Sequence, residues 1–225
     1  SNFQLNEFVA CPNYKRWLDL CAKFSLESFR SWRYSSPSVF YILSLWSRLI
    51  VSKPYLKSDT ESFLDQHVPQ ICETYIVSRL DYARGCAHDD SIENPLEHRE
   101  NLDEQLDALP QLVHSNYEKI GMTLTNLFDP LFLQYQEAIA KKMNNVFTEI
   151  ESQLSWLLFM FGAVIGKRFP SSGNVEDAEI IDANLSARVL RLIPLLTDRL
   201  QLSPDAYEDE FVQHLENALL YFMKH

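Results

Sequence analysis

Glycine occurs only five times in 225 residues, and never directly after asparagine or aspartate. Tight β-hairpins draw on Asn-Gly and Asp-Gly turns, so an antiparallel sheet has almost no turn chemistry here. Apolar residues instead recur at three- and four-residue spacing over most of the chain, the period of an amphipathic helix. With 46% of its residues apolar, the chain is able to bury a sizeable core. The expectation is an all-α protein.

The stripes are explicit. Val39, Ile42, Trp46 and Leu49 form one face of a helix over residues 36–50, with Phe40, Leu43 and Ile50 beside them. Others run through Trp17, Cys21 and Phe24; through Leu64, Val68, Ile71 and Tyr75; and through Phe147, Ile150, Leu154, Leu157, Phe161 and Val164. The last two are Leu185, Val189, Leu192 and Leu196, and then Tyr207, Phe211, Leu215 and Phe222. Capping pairs mark the starts: Ser36 before Pro37, Ser58 with Glu61, Asp129 before Pro130 and Ser203 before Pro204. Pro69 and Pro194 fall inside helical patterns and predict a kink or a split. Gly162 and Gly166, one turn apart, predict a close approach by a neighbouring helix.

The reading is about eight to ten helices in antiparallel pairs, with residues 13–33 and 36–51 as the first pair. Unequal pairs of about 40 to 47 residues are the grain of a HEAT or armadillo α-α superhelix. Residues 1–225 form a single solenoid segment that stops inside an apolar-periodic helix, as a piece of a longer chain does. Residues 85–101 and 170–177 break the helical rhythm, the first being an acidic connector.

The formal net charge of −11, with a pI near 5.0, opposes a phosphate backbone and makes nucleic acid an unsuitable partner. An acidic surface instead steers basic proteins. Cys11, Cys21, Cys72 and Cys86 are scattered without a C-x-x-C pair, which fits a reducing compartment. The longest nearly unbroken apolar run, residues 154–165, is too short to span a bilayer, so no membrane partner is expected. Phosphate-loop, dinucleotide, zinc-protease and nucleophile-elbow motifs are absent, and with them the common catalytic and cofactor frameworks. His88, Asp89, Asp90 and His98 offer donors for a loose metal site, but no spacing preorganises a coordination shell and the loop reads as solvated charge. Among the four tryptophans, Trp32 is expected to be the partly exposed one.

Four stretches are similar, in order, to the exportin-7 (Ran-binding protein 16/17) branch of the importin-β-like nuclear transport receptors. They are SPSVFYILSLWSRLIVSKPYLKS at 36–58, NPLEHRENLDEQLDALPQLVHSNYEK at 94–119, LSWLLFMFGAVIGKR at 154–168 and ARVLRLIPLLTDRL at 187–200. The resemblance covers nearly the whole chain but about a fifth of a family member, after its amino-terminal Ran-binding repeats. It implies a HEAT-repeat superhelix that binds the GTPase Ran in its GTP form, carries protein cargo past nucleoporins and shuttles between nucleus and cytoplasm through the nuclear pore. GTP hydrolysis would belong to Ran, and this chain would be no enzyme. Such receptors often contact Ran through an acidic loop, and residues 89–104 resemble one; Asp89, Asp90, Glu93 and Glu97 are then the candidate protein-binding residues. Composition and periodicity do not separate this reading from an α-solenoid scaffold that never meets Ran. A helical enzyme would instead show a deep pocket with converging buried ionisable groups.

Overall fold

The computed structural model describes residues 5–57, 60–89, 91–169, 174–202 and 204–224, the side chains of 35–37 and 204 excepted. Among the described residues there are nine α-helices and no strand. They are α1 (Leu5–Val9), α2 (Tyr14–Arg30), α3 (Trp32–Ser52), α4 (Leu64–His88), α5 (Arg99–His114), α6 (Tyr117–Lys141), α7 (Phe147–Val164), α8 (Val175–Leu202) and α9 (Glu210–Lys224).

The even-numbered helices α2, α4, α6 and α8 stack on one another, and the odd-numbered α3, α5, α7 and α9 form a second layer. Contacts within the even layer keep a constant offset, so like helices run parallel. Asp19 meets His67 and Phe29 meets Tyr75 between α2 and α4, while Asp129 meets Arg188 and Gly121 meets Ile181 between α6 and α8. Contacts within a pair run in opposite order: Tyr135 meets Phe147, and Phe128, two turns earlier, meets Phe161. Each sequential pair is therefore antiparallel, and the array is an all-α solenoid. Pairs begin at Tyr14, Leu64, Tyr117 and Val175, spacings of 50, 53 and 58 residues. This exceeds the grain expected from the sequence, because α4 and α6 each extend to 25 residues and α8 to 28.

The apolar run at 154–165 becomes the axis of the core. α7 touches α4, α5, α6 and α9, and it is buried all round, which is why it lacks a polar face. Gly162 allows α9 to cross closely: an added Cβ would sit 2.8 Å from the Tyr221 ring and 3.0 Å from the Phe222 Cα. Gly166 serves differently. It lies beyond the helix at φ +74°, where it turns the chain, and an added Cβ would meet nothing within 4 Å.

Several expected starts move. α3 begins at Trp32, one residue after α2, so Ser36 and Pro37 lie inside it. α6 runs unbroken through Asp129 and Pro130, and α4 and α8 through Pro69 and Pro194, so no proline splits a helix. α4 opens at Leu64 after Phe63 at φ 57°, three residues beyond Glu61; Ser58 lies outside the described residues. Ser203 does too, and Pro204–Glu208 is a 3-10 turn before α9. Val175, Glu176 and Asp177 belong to the first turn of α8, and residues 170–173 lie outside the described residues.

Candidate protein-binding surface

The acidic connector is built on the ends of two helices. α4 continues to His88 and α5 starts at Arg99, so Gly85 and Asn101 are helical and residues 89–98 alone cross between them. The crossing is pinned from below. Tyr82 Oη donates to the Glu93 carbonyl at 2.9 Å, and the Asn94 side chain accepts from Leu96 N–H at 3.1 Å, capping a 3-10 turn at Pro95–Glu97. Asn94, Pro95 and Leu96 are buried, which turns the acids outward. Trp32, half-buried, braces this region by stacking on Tyr82 at 4.8 Å and lying against Gly85, where a Cβ would come within 2.5 Å of its ring.

The expected acids have separate environments. Asp89 closes α4, and its carboxylate accepts from Ser91 Oγ and Ser91 N–H at 2.6 and 3.1 Å, which hold its carboxyl below the usual range. Asp90 lies outside the described residues. The exposed Glu93 carboxylate meets His98 Nε2 at 2.6 Å, and Glu97 is exposed on the 3-10 turn. His88 instead reaches Glu149 on α7 at 3.0 Å, so the two histidines serve different partners. Among the described residues no group of three or more His, Cys, Asp and Glu side chains is arranged to hold a metal.

Beside the connector lies a cavity of about 540 Å³ between α3, α4 and α5. Of the expected acids, Glu93 is among its lining residues, together with Glu104, Gln105, Tyr82, Phe40 and Tyr41. Phe40 reads in sequence as part of a buried stripe, and Tyr41 carries no assignment there. Tyr41 is 72% exposed. The signal for it was faint: α3 has more large apolar residues than two packed faces use.

A second groove, about 480 Å³, runs between α2 and α3 and places Phe24 of the stripe Trp17, Cys21 and Phe24 outside the core. α2 packs inward through Tyr14, Leu18, Ala22 and Phe29, while Leu20 and Phe24 are each 60% exposed and line the groove with Trp17, Cys21 and Leu45. A third groove, between α8 and α9, includes Leu196, Leu200 and Leu220.

Charge is unevenly distributed, which the single value of −11 hides. Residues 1–57 hold eight Lys and Arg against three Asp and Glu, whereas residues 58–225 hold twelve against twenty-eight. Apart from Phe40 and Tyr41, the residues that line the cavity beside the connector therefore come from a strongly acidic stretch of chain, and those of the α2–α3 groove from a basic one.

Buried ionisable groups hold the layers together. Glu151 of α7 is fully buried and accepts from Tyr135 Oη of α6 and from Arg199 Nε of α8, each at 3.0 Å. Arg199 also reaches Asp209 at the start of α9 at 3.3 Å. Burial pushes the Glu151 carboxyl up to about 7, against the pull of Arg199 and Tyr135. Asp182 of α8 accepts from Tyr117 Oη, Gly166 N–H and Arg168, tying α6 and the turn after α7 to α8. These side chains line none of the three cavities, and their hydrogen bonds join α6, α7 and α8. No helix among the described residues is long and apolar enough to cross a membrane.

Paired helices stacked in two layers, with grooves open between neighbours, define an α-solenoid, a class whose extended surface grips other proteins. A family model described as "Exportin-7-like, TPR domain" matches residues 83–225. Exportin-7-B of Xenopus laevis is 35% identical over 202 residues, covering 89% of this chain and 18% of the relative. Ran-binding protein 16 of Drosophila melanogaster is 34% identical over 226 residues, and Ran-binding protein 17 of Mus musculus 31% over 225, each covering 99% of this chain and 20% of the relative. The chain belongs to the exportin-7-like family, a family of nuclear transport receptors. It spans about a fifth of the length of these curated relatives. No solved structure matches it.

Proposed function

We propose that this chain is an internal, non-catalytic segment of a nuclear export receptor that binds RanGTP and protein cargo, meets nucleoporins and shuttles through the nuclear pore. The observation that carries the reading is a family match over nearly the full chain, on a solenoid whose grooves are open to solvent. Solenoid receptors bind through many modest contacts spread over successive helices, so no single residue is expected to hold the partner. Asp89, Asp90, Glu93 and Glu97 meet basic residues of Ran or cargo in this reading. The pinned connector supports that role, because it presents Glu93 and Glu97 to solvent without a flexible backbone to order on binding.

Reversal of these four acids to lysine in the full-length protein tests the assignment. RanGTP or cargo affinity should fall and lose part of its salt dependence, because charges at a rim act mainly by steering encounter. Unchanged affinity and unchanged salt dependence for both partners would remove the connector from the interface.

A further inference from the structure

Resting on that protein-binding reading, we propose that the cavity between α3, α4 and α5 receives an arginine side chain from a basic segment of a partner protein. Its walls pair aromatic rings with carboxylates. Phe40 and Tyr41, ring centroids 5.4 Å apart, come from α3, and Glu104 comes from α5. Glu104 is exposed and makes no hydrogen bond or ion pair among the described residues, so its negative charge is uncompensated. Glu93 stands at the same cavity with its carboxylate on His98. Gln105 is fixed, its Oε1 accepting from Tyr75 and its Nε2 donating to the Asn101 carbonyl, so it forms a rigid polar floor.

This lining rejects the other ligand classes. An anion would face Glu93 and Glu104, and a purely apolar group would strand both carboxylates and the amide of Asn101. Of the groups nearby that can carry positive charge, His98 lines the cavity but is held by Glu93, and Arg99 and Arg79 are not among the lining residues. Arg99 is paired with Asp103 and lies over Tyr221 of α9, and the buried Arg79 sits behind Tyr82, over its ring at 5.2 Å. A guanidinium suits what remains, because it is flat enough to lie on a ring and forks onto a carboxylate. The cavity, about 540 Å³, admits the side chain with part of its flanking peptide.

The test uses the 225-residue chain and a capped nonapeptide of glycine and serine with three arginines, beside a twin in which citrulline replaces arginine. Citrulline keeps the planar shape and removes the charge. The arginine peptide should bind saturably and shift the ring resonances of Tyr41, with the citrulline peptide at least tenfold weaker. Glu104→Gln and Tyr41→Ala should each weaken binding about tenfold with an unchanged melting temperature, since both side chains are exposed, while Glu118→Gln on the exposed face of α6 leaves it unchanged. Equal binding of the citrulline peptide, or equal losses from Glu104→Gln and Glu118→Gln, would overturn the site. Neither Ran nor nucleotide enters this titration, so its failure leaves the transport reading standing, and failure of Ran binding leaves the titration interpretable.

Discussion

Glu151 is the residue at which stability and pH should meet. Its carboxyl is pushed up to about 7 in the folded chain, mainly by burial, from an ordinary 4.5. A raised folded value means the native state holds the proton more tightly, so this group's contribution is full below about pH 4.5 and is lost as pH rises through about 7. Urea unfolding should show wild type losing about 3 kcal/mol relative to Glu151→Gln between those limits. A difference independent of pH would refute it. Gly162 makes the opposite kind of demand, for space. Gly162→Val should cost about 2–3 kcal/mol, because the obstructing atoms include the Phe222 backbone, which yields less readily than a side chain. Gly166→Ala, in open space but at φ +74°, should cost about 1 kcal/mol through backbone strain alone. The one-turn spacing made the role of Gly162 legible. Gly166 has the same apolar setting in sequence and differs in role because the helix ends between the two, at Val164.

Among the elements, those buried on every side were the most readable. α7 was plain because a helix with no polar face has only one place among stacked helices, at their centre. Helix starts were misread where proline followed a capping residue, since the same dipeptide sits inside a long helix when packing on both flanks sustains it. Pro130 is such a case, exposed on α6 while Phe128 and Leu131 beside it are buried. Pro130→Ala restores one backbone donor and adds helix propensity without disturbing the core, so it should stabilise the chain by about 1–2 kcal/mol. Destabilisation on thermal or urea unfolding would mean that the proline sets a bend the array needs. The α2 face differs for a related reason: of Trp17, Cys21 and Phe24 the first two are half-buried against the core and Phe24 is exposed, while the stripe beside them, Tyr14, Leu18 and Ala22, packs fully inward. Periodicity reports that a helix is amphipathic over a wide arc and leaves open which edge of that arc meets a neighbour.

At the scale of the molecule, the solenoid was legible because scarce glycine and repeated 3.6-residue periods agree on stacked helices. The cavity beside the connector was not, because it is assembled from α3, α4 and α5, and no stretch of sequence contains it. The uneven charge gives the array a direction, basic at its first pair and acidic through the rest, which the total of −11 conceals. An array of this kind offers extended area for contact, and the family is one of nuclear transport receptors. The direct measurement is retention of Ran, locked in its GTP or GDP form, by the full-length protein with and without the 225-residue segment. The account predicts retention of the GTP form in preference to the GDP form, weakened when the segment is removed. Equal retention of both forms, or retention indifferent to the segment's removal, would contradict it and leave a scaffold that does not respond to nucleotide.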